Sequence, residues 1–520
     1  MLRYTLLVCL LSASLTGFAQ HTNIQIDNVD FPEEPSIAID PKNPAVLVAG
    51  ANIAKVYVST DTGNTWSVNY LTSTYGVGGD PMIMVDTAQK FYFFHLKGFM
   101  QPSEIDRIVC QRLDNPTGTW SSGTYFGVNG TKVQDKEWAI VDRKTNTIYV
   151  GWTQFDAYGS SNTADSSIIR FTKSTDQGQT WTTPARLNTV AGDCKDESNT
   201  VEGAVPCIGP NGEVYVAWVG PLGLLFDKSL DQGQTWMAND KFVSAIGGSG
   251  WDYDVPGLIR CNGLPFIACD LSGGAYNGNI YISWSDQTNG PNNTDVWLVR
   301  STDGGNTWQP KTKVNTDAGI SHQFMSSMTI DQATGYIYVL FYDRRNHTGT
   351  NNTDVYLAVS RDGGQTFVDH KISQTPFEPF TNLFFGDYTH ITAHNNIIRP
   401  IWARMDLPTL SVWTAKVDTS LLFPEVDVPD IYSDNGSVYP NPFQNTTYIA
   451  FKLRVPAPVS LVVTDVFGKK VAVLKDNELL AAGKYTLEFD ARRYGVPPGI
   501  YYFNLRSRSV NKVQKIVLTQ

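Results

Sequence analysis

The sequence predicts an all-β protein: a β-propeller of seven blades, in preference to six, followed by a small C-terminal β-sandwich. Three observations carry this. A short turn motif returns along the first two thirds of the chain at intervals that suit one four-stranded blade. Between its copies lie short alternating runs rich in Val, Ile, Tyr and Trp, the pattern of half-buried strands. Beyond a break rich in Pro and Asp, a second set of alternating strands follows without the motif.

The motif reads Ser59-Thr-Asp-Thr-Gly-Asn-Thr-Trp66 and returns at Ser174–Trp181, Ser229–Trp236, Ser301–Trp308 and Ser360–Phe367, with a worn copy at Asp114–Trp120. The final aromatics recur every 54 to 72 residues, room for four short strands and their loops. The carboxylates of Asp61, Asp176, Asp231, Asp303 and Asp362 can accept backbone N–H groups in the turn. The glycine supplies a positive φ. Trp66, Trp181, Trp236, Trp308 and Phe367 each bury a large apolar area worth roughly 2–3 kcal/mol. These residues are therefore architectural. The motif resembles the Asp boxes, or BNR repeats, of sialidases and related propellers. That resemblance implies a hairpin between a blade's third and fourth strands, on the face away from the active site.

Seven innermost strands are predicted at Ser36–Asp40, Met82–Asp86, Trp138–Asp142, Gly203–Ile208, Gly257–Arg260, Ser327–Asp331 and Thr389–Ala393. The seventh unit lacks the motif, and Thr22–Asp27 can supply its fourth strand. Such closure removes the exposed sheet edges that invite aggregation.

Composition bounds the partners. Charged residues make up 17%, against a usual ~25%, and the net charge of −10 argues against nucleic acids and anionic membranes as partners, since both require basic patches. One arginine, an apolar run and the small residues before residue 20 predict a signal peptide over residues 1–19. The propeller is then expected over residues 20–419, a linker over 420–436 and the sandwich over 437–520. Export permits disulfides, and Cys194/Cys207 and Cys261/Cys269 are the candidate pairs, the alternative being free buried thiols.

The tail opens with Val438-Tyr-Pro-Asn-Pro-Phe443, carries a Phe467-Gly-Lys-Lys470 turn and a Pro498-Gly-Ile-Tyr-Tyr-Phe503 strand, and finishes on Lys512-Val-Gln-Lys-Ile-Val-Leu518. In that order these resemble the C-terminal sorting domain of type IX secretion. The resemblance implies passage across both membranes to the cell surface or the extracellular space, with the secretion machinery as a partner.

Acids gather just ahead of the predicted inner strands: Glu33, Glu34, Asp80, Asp135, Glu137, Glu202, Asp252, Asp254 and Asp387, with Tyr388 beside the last. Loops of the same face carry Asp343 and Arg344, and Arg260 lies nearby. An acidic rim around the central channel is expected. One reading is a glycoside hydrolase, with one carboxyl protonated and one ionised. Glu137, Glu202, Asp387 and Tyr388 are its candidate catalytic residues; Asp135, Asp252, Asp254, Arg260, Asp343 and Arg344 would bind substrate. A second reading is a cation site, Ca²⁺ being the hard ion that such oxygens suit. A third has the acids capping strands. The sialidase resemblance implies three arginines clamping an anionic sugar, but Glu34-Pro35-Ser36-Ile37 stands where the first is expected. What carries over is therefore the fold and an association with extracellular polysaccharide or glycoprotein glycans, with hydrolysis and non-catalytic binding or adhesion both open. The chain is expected to act as a monomer. His390 and His394 share a strand face about 13 Å apart, a spacing for packing rather than metal ligation.

Overall fold

The computed structural model describes residues 21–422, 431–432, 438–453, 456–507 and 511–520. The expected signal peptide and most of the expected linker lie outside the described residues. The chain divides into two compact units, Met1–Leu422 and Phe423–Gln520.

The first unit holds seven four-stranded antiparallel sheets. Their inner strands are Ser36–Ile39, Met82–Val85, Val133–Val141, Glu202–Ile208, Phe266–Cys269, Gln323–Asp331 and His390–His394. Each packs against the next, and the last packs against the first, so the sheets stand as blades round a common hub. Thr22–Asp27 pairs with Thr409–Lys416, so the seventh blade joins the two ends of the unit. The second strands run almost wholly buried and place Trp152, Trp218, Trp284 and Trp402 in the core, each less than 2% exposed.

The fifth inner strand departs from expectation. Gly257–Arg260 does not enter the ring; Phe266–Cys269 takes that place. Gly257 adopts a φ of +87°, which breaks a strand. Its segment belongs to an excursion stapled by pairing of Asp252–Tyr253 with Cys261–Asn262. The two candidate disulfides are also absent: Cys194, Cys207, Cys261 and Cys269, with Cys110, are buried free thiols.

The repeat turns share one geometry. Ser59 Oγ donates to Asp61 Oδ1 (2.8 Å) and accepts from the Gly63 N–H (2.9 Å). The Thr65 N–H and hydroxyl then bond the two carboxylate oxygens of Asp61 (2.9 and 2.7 Å). The same set recurs at Asp176, Asp231, Asp303 and Asp362. Donation by Thr65 holds the Asp61 carboxyl down at about 2. The two residues after each Asp are left-handed, as Gln232 and Gly233 show at φ +60° and +78°. The second is always glycine because the preceding blade presses on it: a Cβ on Gly233 would stand 2.7 Å from the Phe171 ring, and one on Gly305 2.5 Å from Phe226. The closing aromatic completes the seam, as where Trp236 meets Phe171 edge-on at 4.7 Å. Each turn thus pins its hairpin to the neighbouring blade.

The second unit is a β-sandwich of two four-stranded sheets. Strands Thr446–Leu453 and Ala457–Thr464 alternate buried and open positions, the period-two signature of a sheet with one face in a core. Phe443, Phe451, Leu461, Val463, Phe489, Phe503 and Ile516 fill the space between.

Candidate functional site

The hub is built from a kink repeated at the entry of the inner strands. Glu34, Asp80 and Lys136 stand two residues ahead of Ser36, Met82 and Trp138, and all three are left-handed, at φ +52°, +54° and +51°. Gly203 and Met325 repeat the kink at +69° and +48°. Where the strand is long enough to be paired on both sides of it, the kink is a bulge, as between Asp135 and Trp138. It turns side chains from blade faces into the hub. Each non-glycine residue so held costs roughly 1–3 kcal/mol, and such strain concentrates where function demands it.

Lys136 is the centre. Its Nζ lies 2.6 Å from Asp387 Oδ2 and 3.7 Å from both Glu34 Oε1 and Asp80 Oδ2. Burial works against its charge, but Asp387, Asp80 and Glu34 outweigh burial and push the ammonium pKa well up. Arg260 grips Asp387 from the solvent side: Nε donates to Oδ1 at 2.8 Å, the terminal nitrogen pairs with Oδ2, and the other nitrogen reaches Asp196 at 3.3 Å. Burial opposes ionisation of Asp387 too, yet Lys136 and then Arg260 hold its carboxyl down at about 2. The Asp387 N–H donates to Glu34 Oε1, and Asn52 donates to Glu34 Oε2 while accepting from the Asp80 N–H.

Burial shifts several of the remaining acids toward their neutral form. Burial, then Asp80, pushes Glu137 well up, and neither of its carboxyl oxygens has a hydrogen-bond partner. Burial, Asp196 and Asp135 do the same to Glu202. Asp135 and Asp252 are each raised to about 6, mainly by burial. Tyr388 is kept a neutral phenol by burial and Asp80; its ring lies 5.7 Å from Trp138, edge-on, with the Lys136 ammonium over it at 5.6 Å. Below them Trp138, flanked by Phe266 at 5.1 Å and His390 at 5.3 Å, lies across the channel. Above it, beside Glu137 and Tyr388, remains a cavity of about 30 Å³; on its other side the channel opens to about 430 Å³.

Of the sequence candidates, the structure brings Glu137, Glu202, Asp387, Tyr388, Asp135 and Arg260 into this hub, with Asp252 at its margin. Asp343 and Arg344 form another network. Asp343 pairs with Arg345 at 2.6 Å, and Arg344 is buried, donating to the Pro256 carbonyl at 2.6 Å and to Thr353 at 3.1 Å. Asp254 is exposed and contributes its carbonyl to Gln287. The expected rim of acids proves to be a rim closed on two cations. Lys136 was missed, as were Asn52, Asp196 and Asn262, whose amide bonds the Asp387 carbonyl at 3.0 Å. Lys136 sits between two candidate acids in Asp135-Lys136-Glu137, and its shared spacing with Glu34 and Asp80 was the signal that marks it. Among the described residues no group of three or more His, Cys, Asp or Glu is placed to hold a metal ion.

Comparison with known proteins assigns the tail. Residues 437–519 match the secretion system C-terminal sorting domain. The protein is exported by the type IX system to the cell surface or extracellular space. A search of curated proteins found no match. Similar solved structures include an ulvan lyase of the polysaccharide lyases (12% identity over 75% of this chain and 95% of that one, TM-score 0.46). Others are the NanB sialidase of Streptococcus pneumoniae (11%, 72% and 83%, 0.42) and YCF48 bound to D1 peptide (12%, 77% and 96%, 0.41).

Proposed function

We propose that the propeller is displayed outside the cell as a glycan-binding protein whose hub face receives the sugar without cleaving it. The observation that supports this most is the closed hub. The carboxylates that a hydrolase would present to a glycosidic bond are 1–3% exposed in Glu137, Glu202 and Asp387. The cavity that Glu137 lines, about 30 Å³, holds a water or two and no sugar ring, far below the ~300–1,000 Å³ of ordinary small-ligand pockets. Asp387, clamped by two cations, acts as a fixed anion that positions Arg260. The groups left for a ligand are on the outer side: the Arg260 guanidinium, 40% exposed and 5.0 Å from the Phe384 ring, with Phe31 and Phe380 exposed on other loops of this face.

A second reading, a glycoside hydrolase, draws on Glu137, whose unpartnered carboxyl, pushed well up by burial, has the character of a general acid. The full chain, with and without Ca²⁺, is incubated with polysaccharides and sialylated glycans while binding and released sugar are both followed. Binding without release, weakened at least tenfold by Arg260→Ala, is the expected result. Release that disappears in Glu137→Gln replaces this reading with the hydrolase, and no binding to any glycan defeats both.

A further inference from the structure

Five of the seven seams between blades share one arrangement; the seam onto the seventh blade has no repeat turn, and the seam between the first and second blades carries only the worn copy. Where a blade carries an intact repeat turn, the preceding blade sends a cation to the carbonyl just after its Asp. Arg112, Lys173, Lys228 and Arg300 reach Gln177, Gln232, Gly304 and Gly363 at 3.5, 2.6, 2.8 and 3.1 Å. Arg399 of the seventh blade reaches Thr62 of the first at 2.7 Å. Those four cations stand immediately before the first position of their own blade's turn. In the first blade that position is Val58, and the second blade's turn, which it faces, is the worn copy. There Leu113 replaces the Ser and Asn115 the Asp. Pro116 and Thr117 occupy the two positions that are left-handed elsewhere. Proline holds φ near −65° and forbids that conformation. Asn115 Oδ1 instead accepts the Thr117 N–H (3.2 Å) and hydroxyl (3.0 Å), a different and tighter turn.

The seam stays open. Between the outer strand of the first blade, Ser67–Tyr70, and this turn lies a cleft of about 520 Å³, the size of an ordinary ligand site. Trp120 is anchored in it, edge-on to Phe93 at 5.8 Å. Ser67, Asn69, Thr117 and Thr119 add hydroxyl and amide groups, Tyr70 adds an exposed ring, and no charged side chain lines the walls. Aromatic faces accept the C–H faces of a pyranose, and hydroxyls and an amide match its donors and acceptors without charge. We infer that this cleft is a second binding site, for a neutral oligosaccharide, created where the repeat turn decayed. It stands independently of the hub, since none of its residues belongs to that network.

Calorimetry on the full chain with cellohexaose, laminarihexaose and mannohexaose tests it. At least one of the three binds. Asn69→Glu, at an exposed position that leaves the fold intact, raises its Kd at least tenfold. Rebuilding the turn and its cation together, with Val58→Lys, Leu113→Ser, Asn115→Asp, Pro116→Gln and Thr117→Gly, closes the cleft and abolishes binding. Failure of all three sugars to bind the unaltered protein, or a Kd unchanged by Asn69→Glu, overturns the proposal. Failure of the hub reading shows instead in Arg260→Ala.

Discussion

Lys136 Nζ and Asp387 Oδ2 meet at 2.6 Å across the hub, 251 residues apart in sequence, and so tie the third blade to the seventh. The pair is buried: 12% of the lysine side chain and 3% of the aspartate side chain are exposed. Buried charges of this kind are costly to form but costlier to break, because the survivor is left unpaired.

Lys136→Met therefore destabilises the chain by about 3–5 kcal/mol at pH 7.5, read as the loss in urea unfolding free energy. The sign with pH follows from Asp387. Its folded carboxyl, held at about 2, lies below the ~3.9 of an unfolded aspartate. The pair's stabilisation is thus present above pH ~3.9 and is lost as pH falls through about 2. The cost of Lys136→Met should shrink below pH ~3.9, where Asp387 begins to lose its advantage. An equal cost at pH 3 and pH 7.5 contradicts this arrangement.

Glu137 works in the opposite sense. Burial raises its folded pKa well above the ~4.3 of an unfolded glutamate, so the folded chain binds the proton more tightly and loses stability as pH rises beyond ~4.3. Glu137→Gln removes that dependence. Its unfolding free energy relative to the unaltered protein should climb between pH 4.5 and pH 8, with a slope of up to about 1.4 kcal/mol per pH unit. Any cost of unpaired amide atoms in the Gln variant does not vary with pH, so the slope is the reading. Comparison of the two proteins also cancels His95, His322 and His390, whose pKa values burial lowers to about 4.

Much of the fold was legible because the determinants are local. Asp61, Gly63 and Trp66 form a turn whose bonds span at most a few residues, and Thr22–Asp27 could be recognised as an unpaired strand. The fifth inner strand was not, because Gly257-Leu-Ile-Arg260 and Phe266-Ile-Ala-Cys269 are equally short apolar runs, and only the pairing of Ile267 with Ile282 in the sheet decides between them. At the site, the acids were legible as a recurrence ahead of most of the predicted inner strands. Their charge state was not, since it depends on Lys136 and Arg260, which reach Asp387 only through the closed ring.

The repeat turns predict an asymmetry between two glycines in the same backbone region. Gly233 and Gly130 have φ values of +78° and +62°, so an alanine at either meets a strain of roughly 1–2 kcal/mol. At Gly130 nothing stands within 4 Å of the new Cβ, whereas at Gly233 it falls 2.7 Å from Phe171 Cε1 and 2.8 Å from Cζ. Phe171 is buried, stacked on Tyr149 and edge-on to Trp236, so it cannot yield cheaply. Overpacking adds about 1–3 kcal/mol. Gly233→Ala should lower the melting temperature clearly more than Gly130→Ala, and equal shifts would mean that the glycine is not a packing requirement of the seam.

The tail makes a prediction about location rather than stability. Its core, centred on Phe451, Leu461, Phe489 and Phe503, closes within the second unit, and the propeller's ring closes through its own Thr22–Asp27 strand. Neither unit needs the other for its sheets. A chain ended after Leu422 should therefore fold with an unaltered propeller melting transition yet fail to reach the medium or the cell surface, remaining behind the outer membrane. Fractionation of the producing cells reads location, and calorimetry of the purified truncated chain reads folding. Export of the truncated chain at the full-length level would remove the sorting role of residues 437–519. Loss of its melting transition would instead show that the sandwich supports the propeller.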